Sequence, residues 1–346
     1  MTTIWFLVVL FCLVMYVVFD GYDLGIGTGT LFERDASRKR HMIELVATGW
    51  DGNETWLILM GVSLWGGFPL AFGVILPHLY LPLIITLFAL IVRGGSIELI
   101  SQTRNPPAIL TWAFGIASLV AAFAQGFALG ELTSAAHVVD GAYTGSDGGF
   151  PWYPIVLGIT VALAYTALGY GYLKLKSEGQ LLDTAARRGG IVALFTVIFG
   201  ALSLVSIAWT DAPLNLGTPG RAVAFWALIA FAITGGAVAA VNFRRRTENH
   251  PTADLLPFAG LVVTAVTTLL AFTVAHYPVL VPPSLTVTSA AGPYNTLVFL
   301  LVGIGLNIPL IIFYHWFAHR TFGGKFRGPV THESRTSVLT GASNER

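Results

Sequence analysis

Long apolar runs separated by short polar stretches dominate the chain. A membrane-spanning helix needs about 20 mainly apolar residues, and nine runs approach or exceed that length: residues 4–27, 44–72, 76–92, 108–130, 154–175, 190–209, 222–243, 255–276 and 296–317. The second and third runs meet between Phe68-Pro69 and Pro77-His78, where proline marks a turn. The pattern predicts an all-α polytopic membrane protein with nine transmembrane helices.

Composition agrees with this fold class. Hydrophobic residues make up 55% of the chain and charged residues 11%, whereas soluble domains are about one quarter charged. The formal net charge of +1 gives no case for a nucleic-acid partner. Cys12 is the one cysteine, which excludes an internal disulfide and any multi-cysteine metal or Fe–S site.

Basic residues alternate between loops. With the N-terminus outside, 18 of the 19 lysines and arginines fall on the inner side, and Arg221 is the exception. Because cytoplasmic loops carry the excess of Lys and Arg, the N-terminus is predicted outside and the C-terminus in the cytoplasm. Residues 1–322 are expected to form a single transmembrane domain and residues 323–346 a polar cytoplasmic tail.

Two acidic patches lie in or beside the first two apolar runs. Asp20 and Asp23 are three residues apart, as are Asp51 and Glu54, so each pair shares one helical face. Helices joined by a short loop are usually neighbours, and Asp51 is predicted two to three turns into the second helix. The four carboxylates are therefore expected to crowd one region of the inner leaflet. Arg93, at the predicted inner end of the third helix, is the nearest counter-charge.

Acids inside a membrane helix are costly and indicate function. Crowded carboxylates in a medium of low dielectric constant bind protons more readily, which suits a proton relay. The simpler interpretation is that Asp20, Asp23 or Asn53 caps a helix or bonds a neighbouring one. Trp50 either anchors the helix at the interface or flanks a flat ligand such as a quinone ring. These patterns indicate a proton-handling membrane protein and do not separate a transporter from an oxidoreductase subunit.

The histidines offer no predicted haem or metal site. Haem iron takes axial His or Met ligands. Four histidines lie at predicted helix ends or in loops, and His315 and His319 share a face near the cytoplasmic end of the last helix. None is matched by a second ligand deep within a helix. No glycine-rich phosphate loop or nucleophile elbow is present either.

Two segments carry a resemblance to a known family. Residues 20–27, DGYDLGIG, and residues 49–57, GWDGNETWL, resemble the N-terminal signature of subunit II of cytochrome bd-type quinol oxidases. The nine-helix length, the outside N-terminus, the position of Arg93 and a proline-rich last outer loop ending at Pro293-Tyr294 are similar to the same family. Tyr22 and Glu54-Thr55 resemble its cyanide-insensitive branch.

The resemblance implies a complex that oxidises quinol and reduces dioxygen to water in the bacterial cytoplasmic membrane. Its partner, subunit I, is expected to carry haem b, haem d and the main quinol site. Subunit II is expected to bind no haem and to form two four-helix bundles plus one peripheral helix. The resemblance leaves open whether small accessory subunits are present, and membrane lipids are expected contacts.

The resemblance also implies roles for particular residues. It places Asp51 on a proton path from the cytoplasm, and the acids expected on that path are Asp51, Glu54, Asp20 and Asp23. In some members of the family a quinone lies beside the tryptophan that matches Trp50. The residues expected to contact a quinone or the partner are Trp50, Asn53 and Arg93. The alternative function is a proton-coupled secondary transporter. That class predicts internal repeats and helices broken at the midplane, whereas here the polar cluster is expected off-centre towards the cytoplasm and no repeat is evident.

Overall fold

The computed structural model describes residues 1–103, 106–133, 135–139, 141–146, 150–210, 214–245, 251–283, 285–321 and 324–325. These residues form helices and two short hairpins: α1 Thr2–Thr30, α2 Ala36–Ala47, α3 Trp50–Gly67, α4 Pro69–His78, α5 Tyr80–Gln102, α6 Ala108–Glu131, β1 Ala136–Val139, β2 Ala142–Ser146, α7 Trp152–Lys176, α8 Gly179–Ser206, α9 Pro219–Arg244, α10 Pro251–His276, β3 Val279–Val281, β4 Leu285–Thr286 and α11 Tyr294–Thr321. Almost all of the predicted tail, residues 323–346, lies outside the described residues.

Eight of the described helices have the length and apolar composition of membrane-spanning segments: α1 and α5 to α11. The predicted class, a mostly helical polytopic membrane protein, is therefore confirmed. Helix α3 is not among the eight, and its first turns carry the polar residues Asp51, Asn53 and Glu54. At 1.5 Å per residue it is about 27 Å long, close to the thickness of a hydrocarbon core.

The second predicted run, residues 44–72, is wrong as a single helix. The carboxylate of Asp35 accepts a hydrogen bond from the Arg38 amide at 2.8 Å and begins α2. Helix α2 ends at Ala47, α3 begins after Gly49, and Pro69 starts α4. Asp51 consequently lies in the first turn of α3, not two to three turns into a helix. The sequence marks the turn at Phe68-Pro69, but the prediction carries one helix through the polar stretch that contains the break at Thr48-Gly49.

The third predicted run, residues 76–92, is also displaced. Helix α5 runs from Tyr80 to Gln102. Pro82 occupies its first turn, where a missing amide hydrogen costs little. Arg93 therefore lies inside the helix and not at its inner end. A charged residue ended the apolar run in the sequence, although its side chain is paired and fully buried in the fold.

Glycines allow the helix backbones to approach closely, as expected for membrane helices. Helix α1 packs on α3, α6 and α7, while α9 packs on α10. A Cβ atom at Gly25 of α1 would overlap the carbonyl group of Tyr165 in α7. One at Gly235 of α9 would lie 2.5 Å from the carbonyl oxygen of Gly260 in α10.

Two hairpins cover one end of the helices, which we call the hairpin end. Strand β1 pairs with β2, and β3 pairs with β4. The Ala136 amide donates to the Pro282 carbonyl at 3.1 Å and joins the two hairpins. Below them Trp5 donates from Nε1 to the Leu297 carbonyl at 2.9 Å, which ties α1 to α11.

The opposite end, where α1, α7 and α9 end and α3 and α8 begin, carries most of the described arginines and lysines; we call it the basic end. Lys174 of α7 is buried and donates to the Asn242 carbonyl of α9 at 2.5 Å. Lys325 pairs with Asp254 of α10 at 2.7 Å and donates to the Ser177 carbonyl at 3.0 Å. Lysines therefore donate to carbonyl groups that lack an intrahelical partner near the helix ends.

Candidate functional site

Three carboxylates surround one guanidinium between α1, α3 and α5; we call Asp20, Asp23, Glu54 and Arg93 the carboxylate cluster. Nη1 of Arg93 lies 2.7 Å from Oδ1 of Asp20 and 2.9 Å from Oε1 of Glu54, and Nη2 lies 3.8 Å from Oδ2 of Asp23. The Asp20 and Arg93 side chains are fully buried, whereas that of Glu54 is 21% exposed. The two predicted acidic patches thus meet, and Arg93 is the predicted counter-charge.

An amide and a phenol extend this cluster. Nδ2 of Asn53 donates to Oδ2 of Asp23 at 2.7 Å and to the Tyr22 hydroxyl at 3.1 Å. The Tyr22 ring stacks on Tyr172 of α7 with centroids 4.2 Å apart. Asn53 is buried, so its amide satisfies groups that would be costly to leave unpaired. The interpretation of Asn53 as a residue that bonds a neighbouring helix fits this geometry.

Asp51 lies outside the cluster. It is exposed in the first turn of α3, one turn before Glu54. The Trp50 indole packs against Gly94 of α5, so closely that a Cβ atom added at Gly94 would lie 2.9 Å from it. The indole therefore fills the space between α3 and α5 at that level. The expectation that four carboxylates crowd together is right for Asp20, Asp23 and Glu54 and wrong for Asp51.

The predicted quinone or partner contacts also occupy different surroundings. Trp50 is half-buried, whereas Asn53 and Arg93 are enclosed between helices. Nη1 of Arg93 and Nδ2 of Asn53 face the acids of the cluster, and Nδ2 of Asn53 also donates to the Tyr22 hydroxyl. Only Trp50 of these three residues retains accessible surface for another molecule.

Polar groups continue from the cluster towards the hairpin end, and the sequence analysis missed them. Tyr16 lies one helical turn before Asp20 in α1. Nε2 of Gln125 donates to the Tyr16 hydroxyl at 2.7 Å, and the Tyr165 hydroxyl donates to Oε1 of Gln125 at 3.3 Å. We call Glu54, Arg93, Asp20, Tyr16 and Gln125 the polar file. Its sequence signals are a tyrosine four residues before an acid and the only side-chain amide in α6.

A further buried acid, which was not among the predicted site residues, lies at the basic end. Glu33, 2% exposed, accepts from Nη2 of Arg38 at 2.8 Å and from the Asp35 amide at 2.9 Å. Nη1 of Arg188 in α8 lies 3.2 Å from its other oxygen. Desolvation by itself raises the pKa of Glu33, but the hydrogen bonds and the two arginine charges outweigh it and hold that pKa below the ordinary value. Glu33 therefore links the α1–α2 loop to α8.

Of the two histidines predicted near the cytoplasmic end of the last helix, His315 is buried. Its Nδ1 lies 3.0 Å from the Ile311 carbonyl, and its ring lies beside Trp56 with centroids 5.6 Å apart. Among the residues that the structure describes, no three His, Cys, Asp or Glu side chains are grouped as they would be around a metal ion. The side chain of His319 lies outside what is described.

The fold and the cluster define a class: an integral membrane protein that keeps charged and hydrogen-bonding groups inside its helices. The sequence profile of the family "Cytochrome bd terminal oxidase subunit II" matches residues 1–322. The chain therefore belongs to the cytochrome bd terminal oxidase subunit II family, as its two signature segments predicted.

Individual relatives agree. The chain is 29% identical to "Cytochrome bd-I ubiquinol oxidase subunit 2" of Escherichia coli over 216 residues, which are 60% of this chain and 57% of that protein. It is 26% identical to "Cytochrome bd ubiquinol oxidase subunit 2" of Bacillus subtilis over 217 residues, 58% of this chain and 62% of that one. The matched regions thus span about three fifths of the length of these relatives.

A solved structure supports the fold. A chain of the bd oxidase from Geobacillus thermodenitrificans superposes with a TM-score of 0.73 and 15% sequence identity. The superposition covers 93% of this chain and 98% of that one. At this identity the match establishes a shared fold and carries no residue roles.

Proposed function

We propose that the chain is the haem-free subunit II of a quinol:oxygen oxidoreductase in the bacterial cytoplasmic membrane. Its partner would be a subunit I that carries haem b and haem d, and the substrates of the complex would be quinol and dioxygen. Support comes from the family and from relatives named as oxidase subunits. The same evidence favours this function over the transporter alternative.

The proposed topology has nine crossings, with the basic end in the cytoplasm. Helix α3 would be the ninth crossing, since its 18 residues run antiparallel to α1 beside it. Helices α1, α3, α5 and α6 would form one four-helix bundle, α7 to α10 the other, and α11 would pack beside α3 and α1. The excess of Lys and Arg at one end supports this orientation.

The carboxylate cluster is the observation that carries a proposed proton path. One guanidinium balances only one of three carboxylate charges, and an uncompensated charge in a buried site favours binding of a proton. Asp51 would collect protons at the exposed start of α3, and Glu54, partly exposed, would pass them to Asp20. The polar file then offers Tyr16 and Gln125 as the next groups.

Of the three residues expected to contact a quinone or the partner, Trp50 is the one that keeps accessible surface, so a bound quinone would contact the chain there. One part of the Trp50 indole packs closely against Gly94, and the rest keeps accessible surface. The indole would therefore contact the ring of a quinone or a side chain of subunit I. The chain would supply no electron carrier of its own. Replacement of His315 by Ala should accordingly leave the haem spectrum of the assembled complex unchanged.

Two measurements test the proposal. A reduced-minus-oxidised spectrum should show haem d bands in the purified complex and none in this chain alone. Quinol-driven oxygen consumption per haem d should fall at least about tenfold in Asp51→Asn, which keeps the volume but cannot titrate, and recover partly in Asp51→Glu. Near-parental turnover of Asp51→Asn would remove Asp51 from the path, and haem bands in the isolated chain would contradict the haem-free assignment.

A further inference from the structure

A cavity of about 670 Å³ lies between α8 and α9 at the basic end, away from the carboxylate cluster. Its polar lining includes three arginines, Arg38 of α2, Arg187 of α8 and Arg244 of α9, beside Gln180, Asp183 and Thr184. Its apolar side includes Ile191 and Leu194 of α8. Nothing in the proposed oxidase function uses this groove, which we call the arginine groove.

The order of residues along α8 matters. Arg187, Ile191 and Leu194 are spaced i, i+4 and i+7, so they lie on one face of the helix. The charged residue lies nearer the start of α8 at the basic end, and the two apolar residues follow towards the membrane interior. Ile191 and Leu194 are each 54% exposed. This face has the polarity profile of a phospholipid, with a headgroup above and acyl chains below.

The charges of the groove favour an anion. Arg38 is engaged by Glu33 and Gln180, but neither Arg187 nor Arg244 has an ion-pair partner among the described residues. Asp183 is the single acid in the described lining. Arg187 and Arg244 against Asp183 therefore leave a positive excess. Arginine binds phosphate oxygens through paired N–H donors.

We propose that the arginine groove binds an anionic phospholipid of the surrounding leaflet. Arg187 and Arg244 would hold the phosphodiester, and an acyl chain would lie along Ile191 and Leu194. Basic pockets between transmembrane helices recognise anionic headgroups in this way. A lipid at this position would bridge α8 and α9, which otherwise leave a gap at the basic end.

Native mass spectrometry of the delipidated complex tests the proposal. Dioleoyl phosphatidylglycerol is titrated against dioleoyl phosphatidylcholine, which has the same chains and a neutral headgroup. The parent should prefer the anionic lipid. Each arginine near an anionic surface is worth about a factor of five in affinity, so Arg187→Gln/Arg244→Gln should lower phosphatidylglycerol affinity about 25-fold. Arg187→Lys/Arg244→Lys keeps both charges and should retain most of it, which separates lost charge from lost folding.

Matched controls come from arginines elsewhere. Arg221 begins α9 at the opposite end, and Arg320 lies at the basic end but on α11; replacing either by Gln should leave the preference intact. Leu194→Ser should weaken lipid binding, whereas inorganic phosphate should not displace the lipid. Equal binding of the two lipids by the parent would overturn the proposal. Unchanged phosphatidylglycerol affinity in the glutamine double variant would also overturn it, as would loss of binding in the lysine double variant. Full displacement of the lipid by phosphate, together with no effect of Leu194→Ser, would do the same.

Discussion

The guanidinium of Arg93 in α5 lies 2.7 Å from the carboxylate of Asp20 in α1, and neither side chain is exposed. Burial of either charge alone would be expensive, because desolvation in a protein interior costs several kcal/mol per ion. Each charge therefore requires the other. The pair fixes α5 against α1 at the level where α3 brings Glu54 to the same guanidinium.

Removing one partner of this pair should destabilise the protein strongly. Arg93→Gln leaves Asp20 buried without its counter-charge, and such losses cost about 3–5 kcal/mol. The melting temperature of the solubilised protein should fall markedly, and Asp20→Asn should recover part of the loss when combined with Arg93→Gln. Arg221→Gln, outside the cluster, is the control. A parental melting temperature for Arg93→Gln would show that the ion pair is not needed for stability.

Adjacent glycines in α5 give a matched test of the Trp50 packing. A Cβ at Gly94 would lie 2.9 Å from the Trp50 indole, whereas one at Gly95 would meet no atom within 4 Å. Gly94→Ala must displace the indole and should cost about 1–3 kcal/mol. Gly95→Ala should be neutral or slightly stabilising, because alanine is the better helix former. The comparison is made by thermal denaturation, and equal effects of the two changes would contradict the close packing.

Acid should weaken the link that Glu33 makes. The pKa of Glu33 is lowered in the folded state from its ordinary value of 4.5. Its contribution is therefore complete above that value and is lost as the pH falls through the lower folded-state pKa. Glu33→Gln should destabilise the protein by about 1.5–3 kcal/mol at neutral pH, and the difference from the parent should shrink in acid. Denaturation of the parent and of Glu33→Gln at several pH values between neutrality and pH 3 measures the difference in their stability. A difference that does not change with pH would show that ionised Glu33 is not its cause.

The sequence supported the fold class and the meeting of the acidic patches for identifiable reasons. Apolar length is a strong signal for α6 to α11, and i, i+3 spacing aligned Asp20 with Asp23. The sequence pattern gave wrong helix bounds where a charged residue lies inside a helix and where two helices follow each other without a long loop. The charge of Arg93 ended the apolar run and so predicted a helix end, because the acids that pair with it are distant in sequence. The helix break at Gly49 is not marked by any change in the apolar pattern that the prediction used. Glu33 and Gln125 depend on contacts between distant segments, which a single sequence does not contain.

The orientation of the molecule can be tested in the cell. Strand β2 lies at the hairpin end and contains Gly145, and the basic end is proposed to be cytoplasmic. A reporter active only in the cytoplasm should therefore be silent when inserted at Gly145 and active when fused after Arg346. A reporter that folds only outside the cytoplasm, placed at the same two sites, is the control for expression. The reverse pattern would invert the proposed direction of proton uptake.

Tyr16 tests whether the polar file continues beyond Asp20. Its hydroxyl accepts a hydrogen bond from Gln125, so Tyr16→Phe removes the next polar group after Asp20 while keeping the ring that packs in the core. We expect oxygen consumption per haem d to fall by about tenfold or more, since interruption of a positioned proton transfer costs factors of this size, with assembly and haem spectrum unchanged. Tyr22→Phe is the matched control, because Tyr22 is equally buried in α1 and hydrogen-bonded to Asn53 but lies off the file. Similar turnover in the two variants would show that protons leave the cluster by another route, and a solvent isotope effect that rises only in Tyr16→Phe would support transfer through this hydroxyl.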